Sequence, residues 1–513
     1  MLKKKLWLPL AIVVFIFQLV LEAFAVFAIV RADLLPAAYL ALTIGLFAAL
    51  LLLNVFLLFM GMNRDPSAWR CVRRIFSVIL ALAVGFCSVY VSSVLTDITK
   101  TINNITTTQT ISSEEVDAVI GVYVLDDDPA EEITDAADYI FALTEGIDEE
   151  NTQEAVEEIN SLCGTTITTT EYELMTDSAE ALYSGAAGAI ILNELYADML
   201  EDTEEYESFG DDTRLLYEIE IMVTSSEAES DAEEETTEAA AASVDDITTT
   251  PFIVYLSGSD TRSSTLKKSR SDVNIIMAVN PTTRQILLLN TPRDYYVQNS
   301  AGNWAYDKLT HCGIYGIDCS ISTLENLYDI EINYYIQLNF TGFETLIDDI
   351  GGITVYLDSG FTSRGYTFTS GYNTLDGAAA LVLARERYSF ATGDNERGKN
   401  QMKIITAVIE KLTSSGSAIL TNYSSILSSL ENMLATSLDS SDISALVKMQ
   451  LSDMSSWNIK SFAVSGTGGY STTYSASSMR LYVMYQNESD VAQATELVNK
   501  VLAGEILTDE DVE

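Results

Sequence analysis

Histidine occurs once in this chain, at position 311, cysteine occurs five times in 513 residues, and 28 basic side chains face 74 acidic ones. Each scarcity excludes something. One histidine gives a serine hydrolase only one candidate base and leaves a zinc centre short of ligands. The formal net charge of −46 disfavours anionic lipid headgroups as general partners, and no nucleic-acid partner is expected. The imbalance is also uneven: residues 1–95 carry 8 basic and 3 acidic side chains, whereas residues 96–513 carry 20 and 71. Any anion site in the second stretch must be built locally against the surrounding field.

What is abundant comes first in the chain. Residues 6–30, 37–61 and 75–95 are mostly apolar runs, each long enough to cross a hydrocarbon core about 30 Å thick. Three spans put the two ends on opposite sides of a cell membrane. Lys3, Lys4 and Lys5 precede the first run, and Arg64, Arg70, Arg73 and Arg74 crowd the second connection. The positive-inside rule places both on the cytoplasmic face, so everything after about Thr96 is expected outside the cell. A cleavable signal peptide is the competing reading of the first run, but its length and the absence of a small-residue cleavage site argue against it. Gln18 and Glu22 interrupt that run; a carboxylate there is costly, and reaching the interface or a neighbouring helix is the reading preferred over a functional one.

The outer part divides by composition. Residues 96–224 alternate strand-like and helix-like runs, including a helix expected over 130–144, and read as a small acidic α/β accessory domain. Arg214 is nearly alone there as a cation, so the domain suits a spacer or a partner-docking role. Residues 225–250 have almost no large apolar side chain and read as a linker. Residues 251–504 carry β-branched strand candidates at 252–256, 273–279, 285–290, 334–339 and 353–356, a late one at 457–464, and intervening helices. This is a second α/β domain, large enough for its own core. Residues 505–513 form an acidic tail, expected to be mobile.

Within the second domain five strong cations fall in four short polar blocks: TPRD (Arg293, Asp294), YDKLTH (Lys308), ARERY (Arg385, Arg387) and GDNERGKNQ (Arg397). Arginine's planar fork suits a phosphate, and clustered cations in an acidic chain suggest a site that holds one. Asp260 follows the first strand candidate and Asp272 precedes the second. Mg2+ takes oxygen ligands, usually one or two carboxylates together with substrate phosphates, so this pair suits a metal-bridged pyrophosphate. Arg385 and Arg387 are two apart and would diverge by about 200° on a regular helix. For both to face one anion, the helix must end there or the segment must be extended. Cys312 and Cys319 in HCGIYGIDC are spaced to close a loop as a disulfide in an oxidising compartment, but connectivity cannot be read from spacing, and free thiols stand beside it.

Residues 252–413 resemble the LytR-CpsA-Psr family of cell-wall glycopolymer ligases. The resemblance rests on SGSDTRSSTLKKSRSDVNIIMAVNPTTRQILLLNTPRDYYV, KLTHCGIYG, FTGFETLIDDIGGITVYLD and LDGAAALVLARERYSFATGDNERGKNQMKII, in that order. Three spans before an acidic domain resemble the family's capsule-linking branch. The resemblance implies an α/β/α sandwich that encloses a polyprenyl tail, with a pyrophosphate at the cavity mouth. It implies Asp260 and Asp272 as Mg2+ ligands, and Arg293, Lys308, Arg385, Arg387, Arg397 and Gln401 as phosphate-holding groups. Asp272, Arg293, Arg385 and Arg387 would carry the chemistry. One departure is Asn400, where many members have a second arginine.

The implied reaction moves a glycan-1-phosphate, from a capsular polysaccharide, teichoic acid or similar polymer, from a polyprenyl-pyrophosphate carrier to a peptidoglycan hydroxyl. Such a transfer needs positioning and charge neutralisation more than a nucleophilic side chain. Asp272 or Asp294 is the candidate acceptor of the hydroxyl proton. Alternatives are a pyrophosphatase with water as acceptor, and a non-enzymatic sensor of capsule or wall synthesis whose pocket binds the carrier lipid and whose membrane helices or accessory domain signal; capsule or wall-biosynthesis proteins are candidate partners.

Overall fold

A computed structural model describes residues 2–60, 68–111, 116–145, 148–201, 203, 205–206, 208–222, 243–259, 266, 269–387, 389–390, 394–414, 429–430, 433–476 and 480–512. Helices α1 (Leu2–Ala32), α2 (Ala37–Phe59) and α3 (Ala68–Ile111) come first. Each contains a stretch long and apolar enough to cross a membrane, namely Trp7–Ala32, Ala37–Phe59 and Trp69–Thr96. Polar side chains tie them together. Gln18 donates to Glu22 at 2.7 Å, Asn54 donates to Gln18, and Ser77 donates to Asn54, so all three helices join one buried chain of hydrogen bonds. Glu22 therefore turns inward to its neighbours, which offsets the cost of a carboxylate at that depth.

The accessory domain follows: β1 (Val116–Leu125), a 3-10 turn, β2 (Ile140–Thr144), α4 (Glu149–Cys163), β3 (Thr168–Tyr172), α5 (Met175–Tyr183), β4 (Ala189–Asn193), α6 (Glu194–Glu201), α7 (Phe209–Asp212) and β5 (Thr213–Met222). Its five strands pair in the order β3-β2-β4-β1-β5. The helix expected over 130–144 is instead the 3-10 turn Ile133–Ala136 followed by β2. Residues 141–144 of the run IFALT are buried where β2 pairs with β3 and β4, and tertiary pairing outweighs its helical spacing.

The second domain comprises β6 (Phe252–Ser259), β7 (Ser271–Asn280), β8 (Gln285–Asn290), β9 (Tyr296–Gln298), β10 (Tyr306–Lys308), α8 (Leu309–Cys312), α9 (Ile317–Tyr328), β11 (Tyr334–Asn339), α10 (Phe340–Asp349), β12 (Ile353–Leu357), β13 (Phe361–Ser363), β14 (Tyr366–Phe368), β15 (Gly371–Leu375), α11 (Gly377–Arg385), α12 (Asp394–Thr413), β16 (Leu434–Thr436), α13 (Ser440–Asp453), β17 (Asn458–Ala463), β18 (Gly466–Ser471), β19 (Leu481–Gln486), α14 (Glu488–Ala503) and α15 (Asp509–Val512). Six strands form its main sheet in the order β16-β11-β6-β7-β8-β17. Pairing is parallel for β11–β6 and β8–β17 and antiparallel for the others.

Strand alternation sorts the side chains into two cores. Ile253, Tyr255, Ile276, Leu287 and Leu289 pack against α9 and α14 through Leu324, Tyr328, Leu497 and Val501. Phe252, Val254, Ile275 and Leu288 pack on the opposite face against Met402 of α12 and Ile443 of α13. Both faces are covered, so the central strands read as continuous apolar runs and the domain is an α/β/α sandwich.

Contacts beyond the sandwich set its surroundings. Leu34, in the α1–α2 connection, packs with Val94 and Leu95 of α3 and with Ile443 and Val447 of α13, and Lys448 pairs with Asp33. The second domain thus rests on the end of the helical bundle that carries the α1–α2 connection. The accessory domain packs Met175, Leu182 and Phe209 in one cluster with Ala476 and Leu481. The tail expected to be mobile is docked instead: Leu507 is buried, its backbone N–H donates to Gln285 Oε1 at 2.6 Å, and Asp509 pairs with Lys460. An apolar anchor amid the acids accounts for it. Of the expected linker, residues 225–242 lie outside the described residues, and Ile247 beyond them is buried in the second core.

Candidate functional site

The chemistry-bearing side chains gather where β7 begins and β8 ends. Asp272 is the second residue of β7, and Arg293 and Asp294 follow β8 by three and four positions. All three are buried, and Arg293 Nη1 lies 3.1 Å from Asp272 Oδ1 and 3.3 Å from Oδ2. Lys308, the last residue of β10, is fully buried, with Nζ 2.7 Å from Asp294 Oδ1. Thr310 Oγ1 donates to Asp272 Oδ1 at 3.3 Å. Two carboxylates and two strong cations therefore form one desolvated cluster.

Further cations act on it. Burial pushes the Asp272 carboxyl upward, but the charges of Arg293, Arg270 and Arg397, with the hydrogen bond from Arg293, outweigh that and hold it well below the usual carboxylate range. Arg270 is itself buried and stands two residues before Asp272, just ahead of β7. Arg397 is buried in the first turns of α12. The close approach of that helix depends on Gly398, because a Cβ there would come within 2.2 Å of Asn290 Nδ2 at the end of β8.

Arg385 is the last residue of α11, Glu386 is extended (φ −71°, ψ 124°), and Arg387 follows outside the helix. The helix ends where the two-residue spacing requires it to end. The Arg385 guanidinium lies 4.7 Å from the Phe340 ring centroid at the start of α10. Gln401, expected to hold phosphate, donates from Nε2 to the carbonyl of Ala384 at 3.1 Å. It thereby ties α12 to the end of α11, one residue before Arg385. Asn400, one turn after Arg397, is buried, and among the described residues neither side-chain amide atom has a hydrogen-bond partner.

The disulfide expected between Cys312 and Cys319 is not formed; both are buried free thiols. Cys312, at the end of α8, lies 3.6 Å from Thr323 Oγ1, and Cys319 Sγ lies 3.1 Å from Asn299 Oδ1. The two sulfurs are also hydrogen-bond neighbours of each other, an interaction that raises the Cys312 thiol and lowers the Cys319 thiol, and both lie in the apolar core. His311 is structural: its Nδ1 is 2.6 Å from Asp307 Oδ1, and Asp307 also accepts from Ser475. Burial raises the Asp307 carboxyl, but the hydrogen bond and charge of His311, with Ser475 and the Lys308 amide, bring it below its ordinary value.

Asp260 lies outside the described residues. Among the described residues no three His, Cys, Asp or Glu side chains group as metal ligands. Among the described residues of the cluster, Asp272 and Asp294 offer buried carboxylate oxygens, and Asp272 is held ionised. That fits a hard cation which draws its remaining ligands from water and phosphate, and it does not fit an all-protein metal cage. Sequence reasoning missed Arg270 and Thr310, although both stand within two residues of motif positions. The i, i+2 relation of Arg270 to Asp272 and the hydroxyl beside Lys308 were the available signals.

The structure thus joins an α/β/α sandwich, a desolvated carboxylate–guanidinium cluster at its strand ends, and three helices long and apolar enough to cross a membrane. The chain belongs to the LytR_cpsA_psr family, whose model matches residues 216–496, from β5 into α14. It is 35% identical over 221 residues to an Enterococcus faecalis protein named polyisoprenyl-teichoic acid–peptidoglycan teichoic acid transferase TagU, covering 42% of this chain and 71% of that one. A Bacillus anthracis protein of the same name is 34% identical over 189 residues, covering 37% and 61%. Among solved structures, B. subtilis TagU is 27% identical with TM-score 0.39, covering 50% of this chain and 100% of that one. TagT bound to LIIa-WTA is 25% identical with TM-score 0.40, covering 50% and 93%.

Proposed function

We propose that this chain is a membrane-anchored phosphotransferase acting outside the cell. It would move a glycan-1-phosphate from a polyprenyl-pyrophosphate carrier to a peptidoglycan hydroxyl and release polyprenyl phosphate. The observation that carries the reading is the buried Asp272–Arg293–Asp294–Lys308 cluster in the field of Arg270 and Arg397. The names of the relatives supply the polymer class, teichoic acid and its peptidoglycan acceptor. A capsular polymer is the finer alternative suggested by the three-span architecture.

The residues divide the work. Arg293 and Lys308, fixed by Asp272 and Asp294, present cations whose positions are set before substrate arrives, which is the economical way to stabilise developing phosphoryl charge. Arg385 and Arg387, half-buried at the C-terminal end of α11, are the groups we assign to meet an incoming diphosphate. Asp272 is too acidic to be an efficient general base near neutral pH. Its role is to hold Arg293 and, together with phosphate oxygens, to suit Mg2+. When bound, that ion supplies charge neutralisation of the diphosphate.

Orientation follows from Lys3, Lys4 and Lys5 before α1 and the arginines between α2 and α3. With those inside, the α1–α2 connection and the sandwich resting on it face outward, beside the leaflet that would carry the donor.

The test uses the full chain in lipid nanodiscs with Mg2+, a polyprenyl-pyrophosphate glycan and polymer-free peptidoglycan. Release of polyprenyl phosphate together with a peptidoglycan-linked glycan is expected. Release of free phosphorylated glycan alone, with acceptor present, would make the chain a pyrophosphatase. Binding of donor without turnover would make it a sensor.

A further inference from the structure

Asp307 and Lys308 are neighbours on β10, and strand alternation sends their side chains to opposite faces of that ribbon. Both are fully buried. One face carries Lys308 to Asp294 in the cation cluster. The other sets the Asp307 carboxylate against the connection between β18 and β19, where Oδ2 accepts from the Ser475 N–H at 3.1 Å and from the Ser475 hydroxyl.

The same carboxylate holds the backbone of Lys308. Its Oδ1 accepts the Lys308 N–H at 2.8 Å and lies 2.6 Å from His311 Nδ1, while Oδ2 accepts from Asn299 Nδ2 at 3.3 Å. Strand pairing alone anchors this ribbon weakly: among the described residues β10 pairs with β9 only, over three positions, and a lone two-stranded ribbon is marginal in water. Asp307, with the Tyr474 N–H that donates to the Tyr306 carbonyl at 3.0 Å, ties it to the β18–β19 connection. α8 follows Lys308 at once and carries Thr310 to Asp272. A shift of β10 would therefore disturb two contacts of the cluster together.

The accessory domain sits on that connection. Ala476, next to Ser475, is buried in one apolar cluster with Met199 and Leu200 of α6 and Phe209 of α7. Ile314, three residues after His311, packs against this cluster, and the hydroxyl of its neighbour Tyr315 lies 3.0 Å from Ser475 Oγ. Ser475 is thus set between the accessory core and the face of β10 turned away from the cations. Holding a connection in place would need no buried charge, and burying a carboxylate there is costly. Its position, between Ser475 and the Lys308 amide, is what links the two domains to the site.

We propose that the docked accessory domain, acting through Ser475 and Asp307, holds Lys308 where it stabilises the charge that develops on the transferred phosphoryl group. Ser475 and Asp307 are then positioning residues, and the accessory domain sets the rate of transfer without touching substrate. The proposal rests on the phosphotransferase reading and deepens it. A cation that must be in place before substrate arrives is sensitive to small displacements, since a misplacement of about 1 Å can cost on the order of 100-fold in rate.

The experiment compares full-length variants in lipid nanodiscs by two readouts. One is polyprenyl phosphate release with Mg2+, a polyprenyl-pyrophosphate glycan and peptidoglycan; the other is acetylation of Lys308 relative to Lys500 by an amine-reactive ester, read by peptide mass spectrometry. Ser475→Ala, which removes the hydroxyl, and Ala476→Asp, which puts a charge into the seam, are expected to lower kcat about tenfold with KM little changed, and to raise Lys308 labelling. Ser475→Thr, which keeps the hydroxyl, stays near wild type. Ile159→Ala opens the accessory core on the opposite face of its sheet; it should lower the unfolding temperature and leave both readouts unchanged. Seam variants that release product and protect Lys308 as wild type does overturn the proposal, as does either change without the other, or an Ile159→Ala variant that loses as much release as they do. If wild type releases product, any such failure removes only the positioning role. If wild type releases none, the phosphotransferase reading falls, and labelling of Lys308 alone decides whether the seam holds that lysine.

Discussion

Replacing Asp272 with Asn keeps the side chain's shape and removes the charge that balances Arg293. The carboxylate and the guanidinium are each 8% exposed, and Arg270 beside them is 3% exposed. Breaking one partner of a buried ion pair leaves the other uncompensated, at a cost of ~3–5 kcal/mol. For a domain of this size ~1 kcal/mol moves the midpoint by about 2–4 °C, so a fall of roughly 6–20 °C is expected. The effect carries a pH signature. Asp272 is held below its ordinary value in the folded state, so the folded protein binds fewer protons than the unfolded chain. Its contribution is fully present above the unfolded value of about 4 and is lost as pH falls toward the folded one. The gap between wild type and Asp272→Asn should be widest at neutral pH and close on acidification. Differential scanning calorimetry of the full chain at several pH values measures this. A gap under ~1 kcal/mol, unchanged with pH, would refute the electrostatic account of the cluster. Adding Arg293→Met to Asp272→Asn should recover part of the loss, because the stranded cation is then gone.

Arg385→Ala combined with Arg387→Ala should lower polyprenyl phosphate release by about 100-fold or more, the scale of losing preorganised charge stabilisation, with little change in unfolding temperature, because both side chains are only half-buried; full activity in the double variant would contradict their assignment. Gly398→Ala places a methyl within 2.2 Å of Asn290 Nδ2 and should destabilise by ~1–3 kcal/mol, read as a lower denaturation midpoint; an unchanged midpoint would show that α12 can move off β8 at no cost. Iodoacetamide labelling under non-reducing denaturing conditions should modify Cys312 and Cys319, both free thiols here, and a protected pair would indicate that they bond in the assembled protein.

Much of the architecture was legible because burial writes itself into the sequence. Gln285–Asn290 and Tyr334–Asn339 were bounded correctly as strands: the first holds an unbroken, fully buried apolar run and the second is rich in aromatic and branched residues. The end of α11 at Arg385 followed from asking how two arginines two apart could serve one anion. Other features depend on partners distant in the chain. Ile140–Thr144 has helical spacing yet pairs with β3 and β4, and nothing local announces those neighbours. Leu507 anchors an otherwise acidic tail through Gln285, more than 200 residues away. Cys312 and Cys319 have the spacing of a bridge and lie as hydrogen-bond neighbours, while their further contacts, Thr323 on α9 and Asn299 after β9, could not be read from that spacing. Gln401 showed its position but not its bond to Ala384, which depends on how α11 and α12 pack.

The most direct test of the account is to follow the phosphorus. With the full chain in nanodiscs, a donor labelled in its glycan-proximal phosphate, and polymer-free peptidoglycan, the label should pass into the peptidoglycan fraction while unlabelled polyprenyl phosphate appears in equal amount. Label that stays with the lipid, or that reaches water as free glycan phosphate with acceptor present, would contradict transfer by this cluster.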